Sequence, residues 1–200
     1  MSSDLFSDVK QTNVHGFAPA DIVFIRSRLN GQFLDVKNDS KADGTPVIMY
    51  PFNGNENQQW VYKNKRYYSV SSGKVLAISE SILYGKTIVI TTPADLESSQ
   101  MFEMSEHGQI VSIKYPNMCI DIKGANQAAG TPLIMWNCKA ISSAADSSSS
   151  FNQQFDCIGK SKQQVKVLDT YTTNNKLGGY NCSVSLRPPA NAENQQKVFF

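Results

Sequence analysis

Phe33-Leu34-Asp35-Val36, Gly44-Thr45-Pro46-Val47-Ile48-Met49-Tyr50 and Asn57-Gln58-Gln59-Trp60 return later in the chain, piece for piece. The later copy reads Cys119-Ile120-Asp121-Ile122, Gly130-Thr131-Pro132-Leu133-Ile134-Met135-Trp136 and Asn152-Gln153-Gln154-Phe155. Between them lies a worn copy, Leu76-Ala77-Ile78, Thr87-Ile88-Val89-Ile90 and Gln100-Met101-Phe102, in which the separation of 25 positions between Ala77 and Phe102 equals that between Asp35 and Trp60. Spacing is kept where polar groups are lost, so this copy retains the scaffold and not a site. A period of roughly 40 residues means that no single unit buries its own apolar face, and about three must share one core.

Each copy opens on a β-rich run: Ile22-Val23-Phe24-Ile25, Arg66-Tyr67-Tyr68-Ser69-Val70 and Ile110-Val111-Ser112-Ile113. β-branched and aromatic side chains suit a half-buried pleated surface. Turn residues follow promptly at Asn30-Gly31, Ser72-Gly73 and Pro116-Asn117. Gly44-Thr45-Pro46 and Gly130-Thr131-Pro132 introduce a third strand, with proline expected at its first position, where the missing N–H does least harm. Gln-x-Trp or its relic supplies a fourth, and no segment has a capped helical period. Four short strands in each of three copies predict an all-β closed barrel of twelve strands with pseudo-threefold symmetry.

These segments resemble the ricin-type lectin module, a β-trefoil marked by Gln-x-Trp repeats, over about residues 20–158. The resemblance implies a trefoil domain over 20–158, preceded by an N-terminal segment, 1–19, and followed by a C-terminal extension, 159–200. It also implies that Trp60, Phe102 and Phe155 are core residues and that the glutamines of the motif help to satisfy backbone groups.

A sugar presents hydroxyls that need directed acceptors and donors, and a C–H-rich face that prefers an aromatic ring. A carboxylate accepts from two neighbouring hydroxyls and a carboxamide both accepts and donates, so Asp, Asn and a ring are chemically sufficient. Copy one supplies Asp35, Tyr50 and Asn57, and copy three Asp121, Trp136 and Asn152; the ring follows the carboxylate by 15 residues in both. By resemblance the residue after Asn assists, here Gln58 and Gln153, and the preferred sugars are galactose and N-acetylgalactosamine. In copy three nine extra residues intrude between ring and Asn, within Lys139–Ser150, whose Ser/Ala-rich composition predicts a flexible loop that extends or covers the pocket. Copy two places Ala77, Thr92 and Ser99 at the corresponding positions and is expected to bind no sugar this way.

Cys119 and Cys138 are 19 residues apart, as are Phe33 and Phe52 in copy one, so equivalent positions hold two thiols or two rings. Both pairs are expected to touch across strands; in a reducing compartment the thiols pack as apolar partners, and under oxidising conditions they form a disulfide. Cys157 and Cys182 fall in what reads as an irregular C-terminal part, and Asn-x-Ser sequons occur at Asn38 and Asn181. Beyond Phe155, Val167-Leu168-Asp169, Ser185-Leu186-Arg187 and Asn194-Gln195-Gln196 read as a decayed fourth copy. A trefoil has no vacancy for it, so it packs on the outside, exchanges with a neighbouring chain or displaces one of the weaker copies; the favoured expectation is an outer extension that serves homodimerisation.

At 200 residues and 40% hydrophobic the chain can enclose one full core with an appendage. A net charge of +2, with Lys and Arg scattered through all copies, argues against nucleic acid as partner. Met1–Asp8 lacks a basic start followed by an apolar run, and no stretch approaches a membrane span. A cytoplasmic location without membrane insertion is expected, with leaderless secretion left open. His15 and His107 form no metal-spaced cluster, no nucleophile elbow, phosphate loop or dinucleotide fingerprint appears, and no cofactor is expected. Each candidate pocket has one Asp where glycoside hydrolysis needs two carboxylates, so the expectation is a non-enzymatic lectin with glycans or glycoproteins as partners. The rival from another class is a protein-binding β-trefoil, a protease inhibitor or cytoskeletal adaptor acting through loops. The retained triplet in two copies speaks for the lectin.

Overall fold

In the computed structural model, which describes residues 13–141 and 147–160, three copies of a four-stranded unit follow one another. The first consists of β1 (Ile22–Ser27), β2 (Phe33–Val36), β3 (Thr45–Tyr50) and β4 (Gln59–Lys63). The second consists of β5 (Arg66–Ser69), β6 (Val75–Ser81), β7 (Gly85–Thr91) and β8 (Phe102–Met104). The third consists of β9 (Ile110–Ser112), β10 (Met118–Ile122), β11 (Thr131–Asn137) and β12 (Phe155–Gly159). The architecture is the expected β-trefoil. Residues 161–200, including Cys182 and the fourth-copy segments, lie outside the described residues, and with them the suggested dimerisation element.

The outer strands of the units pair as β12–β1, β1–β4, β4–β5 and β8–β9. The inner strands form three hairpins, β2–β3, β6–β7 and β10–β11. These hairpins meet one another in a cyclic register: Pro46 opposite Val89, Thr87 opposite Ile134, and Pro132 opposite Ile48. Each copy thus repeats the same contact with the next, which is the threefold symmetry written in hydrogen-bonded pairs. Both prolines stand one residue inside their strands, after Thr45 and Thr131, and not at the first position as expected. Those threonines close the turns before them, each Oγ1 donating at 2.7 Å to the carbonyl of Ala42 or Ala128.

Strand alternation decides what lies inside. Leu34, Val36, Val47 and Met49, with Ile120, Ile122, Leu133 and Met135, point into one core shared by all copies, where Trp60, Phe102 and Phe155 are buried as expected. Trp60 Nε1 donates to the Leu34 carbonyl at 3.2 Å, so its one polar atom is satisfied. Alternate residues of the same hairpins, Asp35 and Tyr50 or Asp121 and Trp136, therefore face outward on one side. The paired positions beside them behave as the spacing predicts: the Phe33 and Phe52 rings touch, centroids 5.1 Å apart, and Cys119 and Cys138 are joined by a disulfide. Cys157 lies in β12 with its side chain in the core, and not in an irregular segment.

Two further features fix β12, one against the end of β1 and one against the β8–β9 turn. Asp156, itself buried, accepts from Arg28 Nε at 2.9 Å and Nη2 at 2.8 Å. Gly108 accepts the Phe155 N–H and has φ +84°, and a Cβ there would lie 2.5 Å from the Phe155 carbonyl oxygen, so only glycine fits.

Candidate functional site

One glutamine organises the equivalent loop in every copy. Gln58 Oε1 accepts the Asn53 N–H at 2.9 Å and its Nε2 donates to the Pro51 carbonyl at 2.9 Å. Gln100 does the same with the Ala94 N–H at 2.8 Å and the Thr92 carbonyl at 2.9 Å, and Gln153 with the Lys139 N–H at 2.8 Å and the Asn137 carbonyl at 2.9 Å. These contacts belong to the fold, since the copy without the Asp, ring and Asn set keeps them. They also correct the alignment of copy two. The pair Ala77–Val89 matches Asp35–Ile48 and Asp121–Ile134, so Thr91, and not Thr92, occupies the ring position.

Copies one and three add a carboxylate to this frame. The second amide hydrogen of Gln58 reaches Asp35 Oδ2 at 3.0 Å, and that of Gln153 reaches Asp121 Oδ2 at 2.8 Å. Both glutamines are fully buried, their amides divided between the aspartate and the loop backbone. In copy one Asn53 Nδ2 also donates to Asp35 Oδ2 at 3.4 Å, a residue that the sequence reading passed over. Asn57 Nδ2 donates to the Val36 carbonyl at 3.4 Å, while its buried Oδ1 has no partner. Tyr50 stands at the rim with 43% of its surface exposed. Burial pushes the Asp35 carboxyl up to about 6 against the opposing pull of the Gln58, Asn57 and Asn53 amides.

Pocket three has the same plan with one change of chemistry. Asn152 Nδ2 donates to Asp121 Oδ2 at 2.8 Å, and Trp136 is 57% exposed. Where copy one has Asn53, copy three has Lys139, whose Nζ donates to Asn152 Oδ1 at 2.8 Å and to the Ser149 carbonyl at 2.7 Å. Both ends of the Asn152 amide are therefore engaged. Burial raises the Asp121 pKa, opposed first by Gln153 and Asn152 and then by the Lys139 charge. The serine stretch expected to be a flexible loop is in part ordered, Ser147–Gln153 forming a 3₁₀ helix that carries Asn152 to Asp121. Copy two brings Ala77, Thr91 and Ser99 to the same places and offers neither carboxylate, ring nor amide.

The family model of the ricin-type β-trefoil lectin domain matches residues 21–145, well over half of the chain. The chain belongs to the ricin-type β-trefoil lectin family. As such a domain it is a carbohydrate-binding module. Among proteins with curated descriptions none is significantly similar to this lectin. Solved structures share its fold at low identity. The C-terminal half of an earthworm R-type lectin, determined with N-acetylgalactosamine, is 20% identical with a TM-score of 0.55, over 68% of this chain and 97% of that one. The ricin B-like lectin of Macrolepiota procera, determined with lactose, is 19% identical with a TM-score of 0.53, over 70% and 96%. The designed threefold-symmetric protein ThreeFoil is 22% identical with a TM-score of 0.57, over 68% and 97%.

Proposed function

We propose that this lectin is non-enzymatic and takes terminal galactose- or N-acetylgalactosamine-type sugars in two pockets, the first formed by Asp35, Tyr50 and Asn57 and the second by Asp121, Trp136 and Asn152. The observation that carries this reading is the convergence of a buried carboxylate and an exposed ring on one outward face of the β2–β3 hairpin with a buried carboxamide brought beside them by the Glu56–Gln58 turn. The carboxylate accepts two adjacent hydroxyls, the ring covers the C–H face of the sugar, and the unpartnered Asn57 Oδ1 accepts a third hydroxyl. Gln58 and Gln153 orient the aspartates. Each pocket presents one buried carboxylate, which suits binding and leaves hydrolysis without its second acid.

The two pockets are unequal. The first has a free amide oxygen, whereas in the second a ligand must share or displace the Lys139 ammonium, so the first is the tighter. Single shallow sites of this kind bind at about millimolar Kd, roughly 4 kcal/mol, and gain avidity when both engage one clustered glycan. A glycan array probed with the full chain tests the reading. Retention on β- or α-galactosides and N-acetylgalactosaminides supports it; silence on all glycans, with capture of an unglycosylated protein, favours the rival protein-binding trefoil.

A further inference from the structure

The copy that has lost its sugar triplet differs from the other two at its hairpin tip. Towards the tip, β2–β3 and β10–β11 pair no further than Val36–Val47 and Ile122–Leu133, and polar turns follow, Lys37-Asn38-Asp39 and Lys123-Gly124-Ala125 among them. The β6–β7 ribbon continues past the equivalent pair, Ile78–Ile88, through Ser79–Thr87, Glu80–Lys86 and Ser81–Gly85. Three extra pairs carry it outward by about 10 Å. At its end stand Ile82, Leu83 and Tyr84, exposed by 105%, 83% and 77%, three consecutive large apolar side chains in water. Single exposed apolar residues are ordinary, but a run of three on a projecting turn marks a contact surface.

We propose that this arm docks the lectin on an anionic lipid surface, with Ile82, Leu83 and Tyr84 entering the headgroup–acyl boundary. Shape favours lipid over protein. The tip is convex, and three side chains fall well short of the ~800 Å² that each partner contributes to a stable protein interface, while a bilayer sets no such minimum. A tyrosine beside two aliphatics is the composition that settles at the membrane interface, ring in the boundary and hydroxyl at the headgroups. Charge agrees. Glu80, the acid of the arm, accepts from Lys114 Nζ at 2.9 Å and Tyr115 Oη at 2.7 Å, while Lys86, opposite Glu80 in the ribbon, has its Nζ 4.9 Å from the Tyr115 ring centroid and forms no close ion pair among the described residues. The collar behind the apolar tip holds the two ammonium groups of Lys86 and Lys114, with Glu80 and Glu97 as their counter-charges, and it is these ammonium groups that meet anionic headgroups. Among the described residues no helix is long and apolar enough to cross a membrane.

Co-sedimentation with sugar-free vesicles of phosphatidylcholine and phosphatidylserine tests the arm without involving the glycan pockets. The wild-type chain should sediment with these vesicles, less so at high salt. The triple change Ile82→Ser, Leu83→Ser, Tyr84→Ser should weaken vesicle binding by about tenfold or more, and Lys86→Gln by a smaller factor. The triple variant should keep its affinity for soluble galactoside, which shows that it is folded and separates a failure of the arm from a failure of the pockets. Vesicle binding that is absent in the wild type, or unchanged in the triple variant, overturns the proposal. So does a protein partner captured through the tip by a chain that ignores lipid.

Discussion

Acidification should weaken the first pocket while it stabilises the empty protein. Asp35 must be ionised to accept two hydroxyls at once, yet burial raises its pKa to about 6. At about pH 7.5 nearly every molecule carries the carboxylate, and at about pH 5 roughly one in ten does, so affinity for a galactoside should fall about tenfold, near 1.4 kcal/mol. Stability runs the other way. A carboxyl whose folded pKa lies above its unfolded value binds its proton more tightly when folded, so the charged form costs stability at neutral pH, and that cost is relieved as pH falls through about 6 towards 3.8. The shift is worth up to about 3 kcal/mol. Asp35→Asn should therefore melt higher than wild type at neutral pH, lose that advantage on acidification, and bind sugar poorly at every pH. Calorimetric titration with methyl galactoside across this range, beside thermal melts of the unliganded proteins, reads both arms. An affinity that stays flat from pH 7.5 to 5, or an Asp35→Asn protein that binds as wild type does, would refute the reasoning.

Tyr50→Ala and Trp136→Ala should each cost their own pocket about tenfold in affinity and leave the melting temperature nearly unchanged, because both rings stand at the surface; the two readouts are titration and thermal melts. Lys139→Ala should free Asn152 Oδ1 and strengthen sugar binding in pocket three, read by titration in an Asp35→Ala background that silences pocket one; weaker binding would show that the ammonium contacts the ligand. Gly108→Ala should destabilise by about 2 kcal/mol or more, through positive φ and collision with the Phe155 carbonyl, as measured by denaturant unfolding; a neutral result would contradict the close approach of the β8–β9 turn to β12.

The fold was legible because it is repeated. Period-two alternation put Leu34, Met49, Ile120 and Met135 inside and Asp35, Tyr50, Asp121 and Trp136 outside, and equal spacings placed Trp60, Phe102 and Phe155 in one core. What was missed depends on contacts that spacing does not encode. The ring position of copy two shifted by one because strand pairing, and not loop length, fixes register: Ala77 sits opposite Val89, which makes Thr91 the equivalent of Tyr50. Lys139 and Asn53 share a backbone role through Gln153 and Gln58, so the sequence marks them as equivalent only when the interval from the ring is extended three residues. That a lysine there occupies the amide of Asn152 depends on the 3₁₀ helix within Ser147–Gln153, which a serine-rich composition disguises as loop. That Gln58 and Gln153 each donate to the aspartate of their copy is likewise a contact that spacing does not encode. The Ile82-Leu83-Tyr84 tip carries no periodic signal and becomes visible only when the three hairpins are compared in register.

Titration of N-acetylgalactosamine and methyl galactoside into the wild type, Asp35→Ala, Asp121→Ala and the double variant is the most direct test of the two-pocket account. It predicts that Asp35→Ala removes the tighter binding, that Asp121→Ala removes the weaker, and that the double variant is silent while its melting temperature stays close to that of the wild type. A double variant that still binds either sugar with wild-type affinity would contradict it.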